Sequence, residues 1–93
     1  MEFEWEPKKA RKNLRKHTVP FAEAATIFGD PLAVTAPDPD HSAEENRHIT
    51  IGTSNRLRLL IVSHVDRGGR VRIISARQLR RSEKLAYEEE DRD

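Results

Sequence analysis

Two apolar runs, Leu57 to Val65 and Val71 to Ala76, stand on either side of Asp66-Arg67-Gly68-Gly69. Glycine reaches positive φ without the steric penalty of a Cβ, so a Gly-Gly pair between such runs predicts a tight antiparallel hairpin. Within the runs, Leu59-Leu60-Ile61-Val62 and Ile73-Ile74 are apolar at successive positions. Neighbouring strand residues point to opposite faces, which predicts interior strands covered on both sides. The remaining residues must supply that cover, and 93 of them suffice for one small domain spanning residues 1–93.

Upstream, Phe3 and Trp5 alternate with glutamates in MEFEWE, the pattern of a short strand with one apolar face. Pro7 suits the first position of a helix, where its missing N–H costs nothing. That helix is predicted from Pro7 to His17, with Ala10, Asn13, Leu14 and His17 along one side. Its apolar stripe is thin, so it belongs on the surface. Phe21, Ala24, Ala25 and Phe28 recur at helical spacing, giving a second, short helix closed by Gly29 and stopped by Asp30-Pro31. Leu32, Val34 and Ala36 predict an alternating strand, followed by the turn-rich, acidic and mobile loop PDPDHSAEE. RHITIGT, Arg47 to Thr53, reads as a half-buried strand. Ser82 to Glu90 reads as a final helix that brings Glu83 near Tyr87, with residues 90–93 fraying. The expected class is α+β: an N-terminal strand, two helices, a four-stranded antiparallel meander and a C-terminal helix.

The net charge is only +1, yet the charges are segregated. Lys8, Lys9, Arg11, Lys12, Arg15 and Lys16 form a block without an acid, Asp30 to Glu45 is acidic, and Arg56 to Arg81 is basic apart from Asp66. Such blocks fit a polyanion-binding surface flanked by acidic regions that limit it, although solvated faces look the same by charge alone. Without cysteine there is neither a disulfide framework nor a thiolate zinc site. No apolar run approaches the length of a membrane span, and no segment has the pattern of a signal peptide, so a cytoplasmic protein without membrane partners is expected.

The chain has no P-loop, GxGxxG turn, HExxH helix or nucleophile elbow. His17, His41, His48 and His64 fall on four predicted elements without close ligand spacing, so neither a metal nor a cofactor is expected. What remains is a set of cations with a few acid–base groups, which is what metal-free RNA cleavage requires. The 2′-hydroxyl must lose a proton to attack phosphorus, the leaving 5′-oxygen must gain one, and the added charge on phosphate needs fixed cations. Arginine matches phosphate oxygens with a planar fork, and Arg72 and Arg77 lie on or just after a rigid strand. By strand parity they face opposite sides, so one site can use both only if the strand twists or bulges near Ser75-Ala76.

Arg77 fits an ion pair with Glu83 or Glu88 as well as it fits phosphate. Glu83 has the position of a first-turn helix acid, and His17 that of a base or of a cation at a helix C-terminus. Tyr87 suits a partly buried aromatic or a proton donor, while Phe3 and Trp5 suit the core, with stacking on a nucleic-acid base the other reading of Trp5. A non-catalytic module binding nucleic acid or protein is the competing reading.

FEWEPKKARKNLRKHTVPFAEAATIFGDP, IGTSNRLRLLIVSHV and RVRIISARQLRRSEKLAYEE, in that order, resemble the BrnT family of type II toxin–antitoxin toxins. The resemblance implies a RelE-like fold and a toxin that cuts RNA and slows translation. It also implies a cognate BrnA-like ribbon-helix-helix antitoxin, with operator DNA bound only through the complex. Carried over by position, the signature covers Trp5, Lys16-His17, Glu45 and Arg47, Arg72, Ser75, Arg77, Glu83 and Tyr87. The candidate catalytic residues are therefore Arg72, Arg77, Glu83, Tyr87 and His17, and the candidate RNA-binding residues Lys8, Lys12, Lys16, Arg47 and Arg58. The chain departs from the family pattern at Glu6, Thr18, Pro20 and Arg80, where Asp, Gly, Ser and Thr are common.

Overall fold

The computed structural model describes residues 1–41 and 46–91. Strand β1 (Glu2–Glu4) is followed by helix α1 (Pro7–His17), helix α2 (Phe21–Ala25) continued by a 3-10 turn (Thr26–Gly29), and strand β2 (Val34–Pro37). After a second 3-10 turn (Pro39–His41) come β3 (Arg47–Thr53), β4 (Leu59–Arg67), β5 (Arg70–Gln78) and α3 (Arg81–Asp91). The strands form one sheet in the order β1-β5-β4-β3-β2. β1 runs parallel to β5, and the pairs β2–β3, β3–β4 and β4–β5 are antiparallel. The expected four-stranded antiparallel sheet is thus a five-stranded mixed one, because the intervening helices and strands give the crossover that a parallel pair needs.

The hairpin turns on Gly68 and Gly69, at φ +52° and +85°. Two successive positive φ values match the twist of the flanking strands. Leu60 and Val62 of β4, with Ile73 and Ala76 of β5, pack beneath Val19, Phe21, Ala24 and Ile27. Phe3 and Trp5 join this layer, with ring centroids 5.3 Å from Phe28 and 6.1 Å from Phe21. The opposite face is only half-buried at Ile61, Ser63, Arg72, Ser75 and Arg77. Full cover on both sides was expected, but α1 and α2 share one face and leave the other as a floor. β2 also departs from expectation: all four of its residues are exposed, as on a solvated edge.

α1 is fixed by a polar residue. Leu14 is 46 % exposed while Asn13 is buried. β1 pairs with β5 only from Arg70 to Arg72, so the edge of β5 is open beyond that point. There Asn13 Nδ2 donates to the Ala76 carbonyl (2.9 Å) and the Ala76 N–H donates to Asn13 Oδ1 (3.1 Å). A third bond joins Nδ2 to the Val19 carbonyl at 3.1 Å. One amide side chain therefore does the work of an adjoining strand and satisfies backbone groups that burial would otherwise penalise. α1 then ends at Thr18, whose φ of 59° is left-handed, a geometry that glycine adopts without penalty.

Glu23 is buried on α2 and accepts from Ser54 Oγ (2.7 Å) and Arg58 Nε (2.8 Å), with a further bond from Arg58 Nη2. This pair ties α2 to the β3–β4 connection and holds the Glu23 carboxyl below its ordinary pKa, chiefly through Arg58. Removing one partner of a buried ion pair leaves the other charge uncompensated. Arg58→Ala is therefore expected to destabilise the chain by about 3 kcal/mol, read as a lower midpoint in urea. Asn13→Ala, which strands the Ala76 N–H and carbonyl, should cost about 1–3 kcal/mol in the same assay. Unchanged midpoints would sink both assignments.

Candidate active site

β5 has one residue more than β4 opposite it. Ser75 pairs with Ser63 and Ile73 with His64, so Ile74 has no Cα partner and the strand carries a bulge. The extra residue cancels the parity difference. Arg72 pairs with Val65 and Arg77 with Ile61, four positions apart on β4, so both arginines point to the open face. They remain about 13 Å apart along the strand at 3.3 Å per residue. Arg72 Nε donates to Glu4 Oε2 at 3.1 Å on the neighbouring β1.

Around Arg77 the open face deepens into a cleft of about 550 Å³. Its floor includes Ile49, Ile61, Ser63 and Ser75; its walls include Lys16 and His17 from the end of α1, Asp38 and His41 from the second 3-10 turn, and Arg47, Arg77, Arg80 and Glu83. Of the candidate catalytic residues, the cleft gathers His17, Arg77 and Glu83, and of the candidate RNA-binding residues Lys16 and Arg47. Arg72 is outside it. Tyr87 borders a neighbouring apolar hollow with Ile49, Ile51, Ile61, Leu79, Glu83 and Ala86, and its hydroxyl donates to the Leu32 carbonyl at 3.0 Å. Lys12 lines a second hollow with Lys9, Lys16, His17 and Ser75, contiguous with the cleft through its last three residues. Lys8 is exposed on α1 outside both hollows, and Arg58 serves the buried Glu23. Glu45 lies outside the described residues.

Arg77 and Glu83 form a two-pronged pair, Nη1 to Oε1 at 2.8 Å and Nη2 to Oε2 at 3.0 Å. Oε1 also accepts the Arg80 N–H at 2.7 Å, as the third residue of a helix does in a capping box, even though Arg80 has no capping oxygen. These bonds, the guanidinium first, lower the Glu83 pKa from 4.5 to about 2. Glu83 is thus a weak base, and its two bonds fix the orientation of the Arg77 guanidinium. Arg77 Nη1 donates also to the Gln78 carbonyl (3.3 Å), so three of five N–H donors are engaged. The two that remain, on Nε and Nη2, are adjacent on one edge of the guanidinium plane and can take two oxygens of one phosphate. Burial, Lys16 and Arg77, in that order, push the His17 pKa below 6.5, so its imidazole is neutral near pH 7 and able to accept a proton.

Asp38 and His41 fall in the stretch whose composition predicts a mobile acidic loop. The structure instead builds residues 38–41 on the buried Asp38. Its N–H donates to the Arg47 carbonyl (3.0 Å), Oδ1 accepts the Asp40 N–H (3.0 Å), and Oδ2 is 3.3 Å from His41 Nδ1. The sequence marks PDPDH as turn-rich; the Asx-turn propensity of Asp38 is the local signal that could have located this turn, but not its place against the cleft. Residues 42–45 of that loop lie outside the described residues.

Sheet and cleft together define a small α+β protein with a carboxylate-held arginine fork and a histidine of lowered pKa lining one concave face. The family model for the ribonuclease toxin BrnT of type II toxin–antitoxin systems matches residues 5–83, and the chain belongs to that family. Among solved structures, the crystal structure of the Brucella abortus ribonuclease toxin BrnT matches with a TM-score of 0.69 and 24 % sequence identity, covering 87 % of this chain and 99 % of that one. No curated protein sequence matches the chain significantly.

Because Glu83 titrates near 2 in the folded chain and near 4.5 unfolded, its pair stabilises the fold above pH 4.5. That contribution is lost as the pH falls from 4.5 towards 2. Urea midpoints measured across this window should fall for the natural chain and fall less for Glu83→Gln; parallel curves would contradict the pairing.

Proposed function

We propose that this chain is a metal-independent endoribonuclease toxin that inhibits translation in the cytoplasm and is neutralised by a cognate BrnA-like ribbon-helix-helix antitoxin. Operator DNA is then bound only through the toxin–antitoxin complex, and the fold is of the RelE-like kind. The observation that carries this reading is the neutral His17 beside an Arg77 fork held ready by Glu83. His17 takes the proton of the 2′-hydroxyl, and Arg77 meets the charge that gathers on phosphorus as the new bond forms. Lys16 is shared by the cleft and the adjoining hollow, and with Lys9 and Lys12 it forms a stripe at helical spacing along which an RNA backbone can run. Arg47 adds a cation on the opposite wall. Arg72, Tyr87 and Arg58 were candidates by sequence; their contacts with Glu4, the Leu32 carbonyl and Glu23 support structural roles.

The purified chain is expected to cleave single-stranded RNA with EDTA present and to leave 2′,3′-cyclic phosphate ends. His17→Ala should slow cleavage by about 10²–10⁴-fold, with an unchanged melting temperature. Expression should arrest growth, and co-expression of the antitoxin should restore it. RNA binding that weakens with salt and yields no products would favour the non-catalytic module instead.

A further inference from the structure

Attack at phosphorus by the 2′-oxygen is completed only when the leaving 5′-oxygen is protonated. In an in-line displacement that oxygen departs on the side opposite the attack, so the acid must face the base across the phosphate. Tyr87, the tyrosine that could serve, directs its hydroxyl to the Leu32 carbonyl outside the cleft. The cleft holds another titratable ring. His41, joined through Asp38 to Arg47 of β3, lines the same cleft as His17, which lies near Arg77 of β5, and Ser63 of β4 lies on its floor. The cleft they share, about 550 Å³, has room for a phosphodiester.

His41 is also held for the task. Its side chain is 41 % exposed, whereas its carboxylate partner Asp38 is 6 % exposed and anchored by the Asp40 N–H. Asp38 Oδ2 lies 3.3 Å from His41 Nδ1 and 3.6 Å from Arg47 Nε. A carboxylate at Nδ1 fixes the tautomer and ring orientation and leaves Nε2 as the nitrogen that exchanges a proton with a ligand.

From this arrangement we infer that His41 is the general acid of the cleft and Asp38 its positioning residue, an assignment that rests on the ribonuclease reading above. His17 takes the 2′-hydroxyl proton and the 2′-oxygen bonds to phosphorus. The bond from phosphorus to the 5′-oxygen breaks with its electron pair on oxygen, and His41 Nε2–H gives that oxygen its proton. The products are a 2′,3′-cyclic phosphate and a 5′-hydroxyl, with His17 protonated and His41 neutral. Exchange with water resets both.

The test maps the wild-type cut in a mixed-sequence RNA oligonucleotide, then replaces the bridging 5′-oxygen at that linkage with sulfur, whose thiolate leaves without protonation. His41→Ala is expected to cut the oxygen substrate about 10²–10⁴-fold more slowly than wild type and the sulfur substrate at close to the wild-type rate. Asp38→Asn should show the same rescue with a smaller initial loss, and His17→Ala should show none. A His41→Ala chain that cuts the oxygen substrate normally, or stays equally slow on both, overturns the assignment. Circular dichroism of each variant separates chemistry from misfolding, and His41→Gln replaces the alanine variant if that one unfolds. Wild-type protein inert on both substrates overturns the ribonuclease reading and this assignment together.

Discussion

The amide of Asn13, paired with both backbone groups of Ala76, is the contact on which the arrangement of the open face depends. β1 is too short to cover the whole edge of β5, and a buried, unpaired edge would be costly. A helix side chain completes it, and that choice fixes α1 in both position and rotation. Lys16 and His17, one turn further on, reach the rim of the opposite face, while Arg77 is the residue next to Ala76 on the strand. Burial, then Lys16 and Arg77, lower the His17 pKa, and the nearness of Arg77 follows from this join.

Two arginine–carboxylate pairs show how surroundings decide the use of one chemistry. Arg58 closes on a buried Glu23 with a hydroxyl donor alongside, and the pair fastens α2 to the β3–β4 connection. Arg77 closes on Glu83 in an open cleft, and among the described residues one edge of its guanidinium keeps no partner. Burial turns the first into a fastener; the second leaves part of its guanidinium facing the cleft. The bulge at Ile74 acts on the same scale, since one added residue turns Arg77 to the face that already carries Arg72, Ser63 and Ile61.

Hydrophobic periodicity and punctuation carried much of the fold. Pro7 and His17 bound α1 as expected, RHITIGT is β3 from end to end, and Gly68-Gly69 turns the hairpin. These features are local, set by φ restriction, side-chain spacing and missing donors. Where burial depended on distant partners, the pattern misled. It put Leu14 on the packed side of α1 together with Asn13, and gave β2 an alternation that its exposed edge lacks. The loop PDPDHSAEE looked loose because nothing local shows that Asp38 is buried.

For the site, the sequence by itself determined the inventory: an isolated histidine at a helix end, arginines on an apolar strand, an acid in the first turn of the last helix, and a run of lysines. It also determined that Arg72 and Arg77 could share a face only through an irregularity in β5, because strand side chains alternate. Tertiary structure alone decided that a bulge supplies it, that Arg72 nevertheless sits with Glu4, that Arg58 is bound to Glu23, and that His41 lines the same cleft as His17. The reason is physical. Alternation and helix periodicity depend on bonds a few residues apart, whereas the environment of a charge depends on groups brought near it by chain segments that the sequence separates widely.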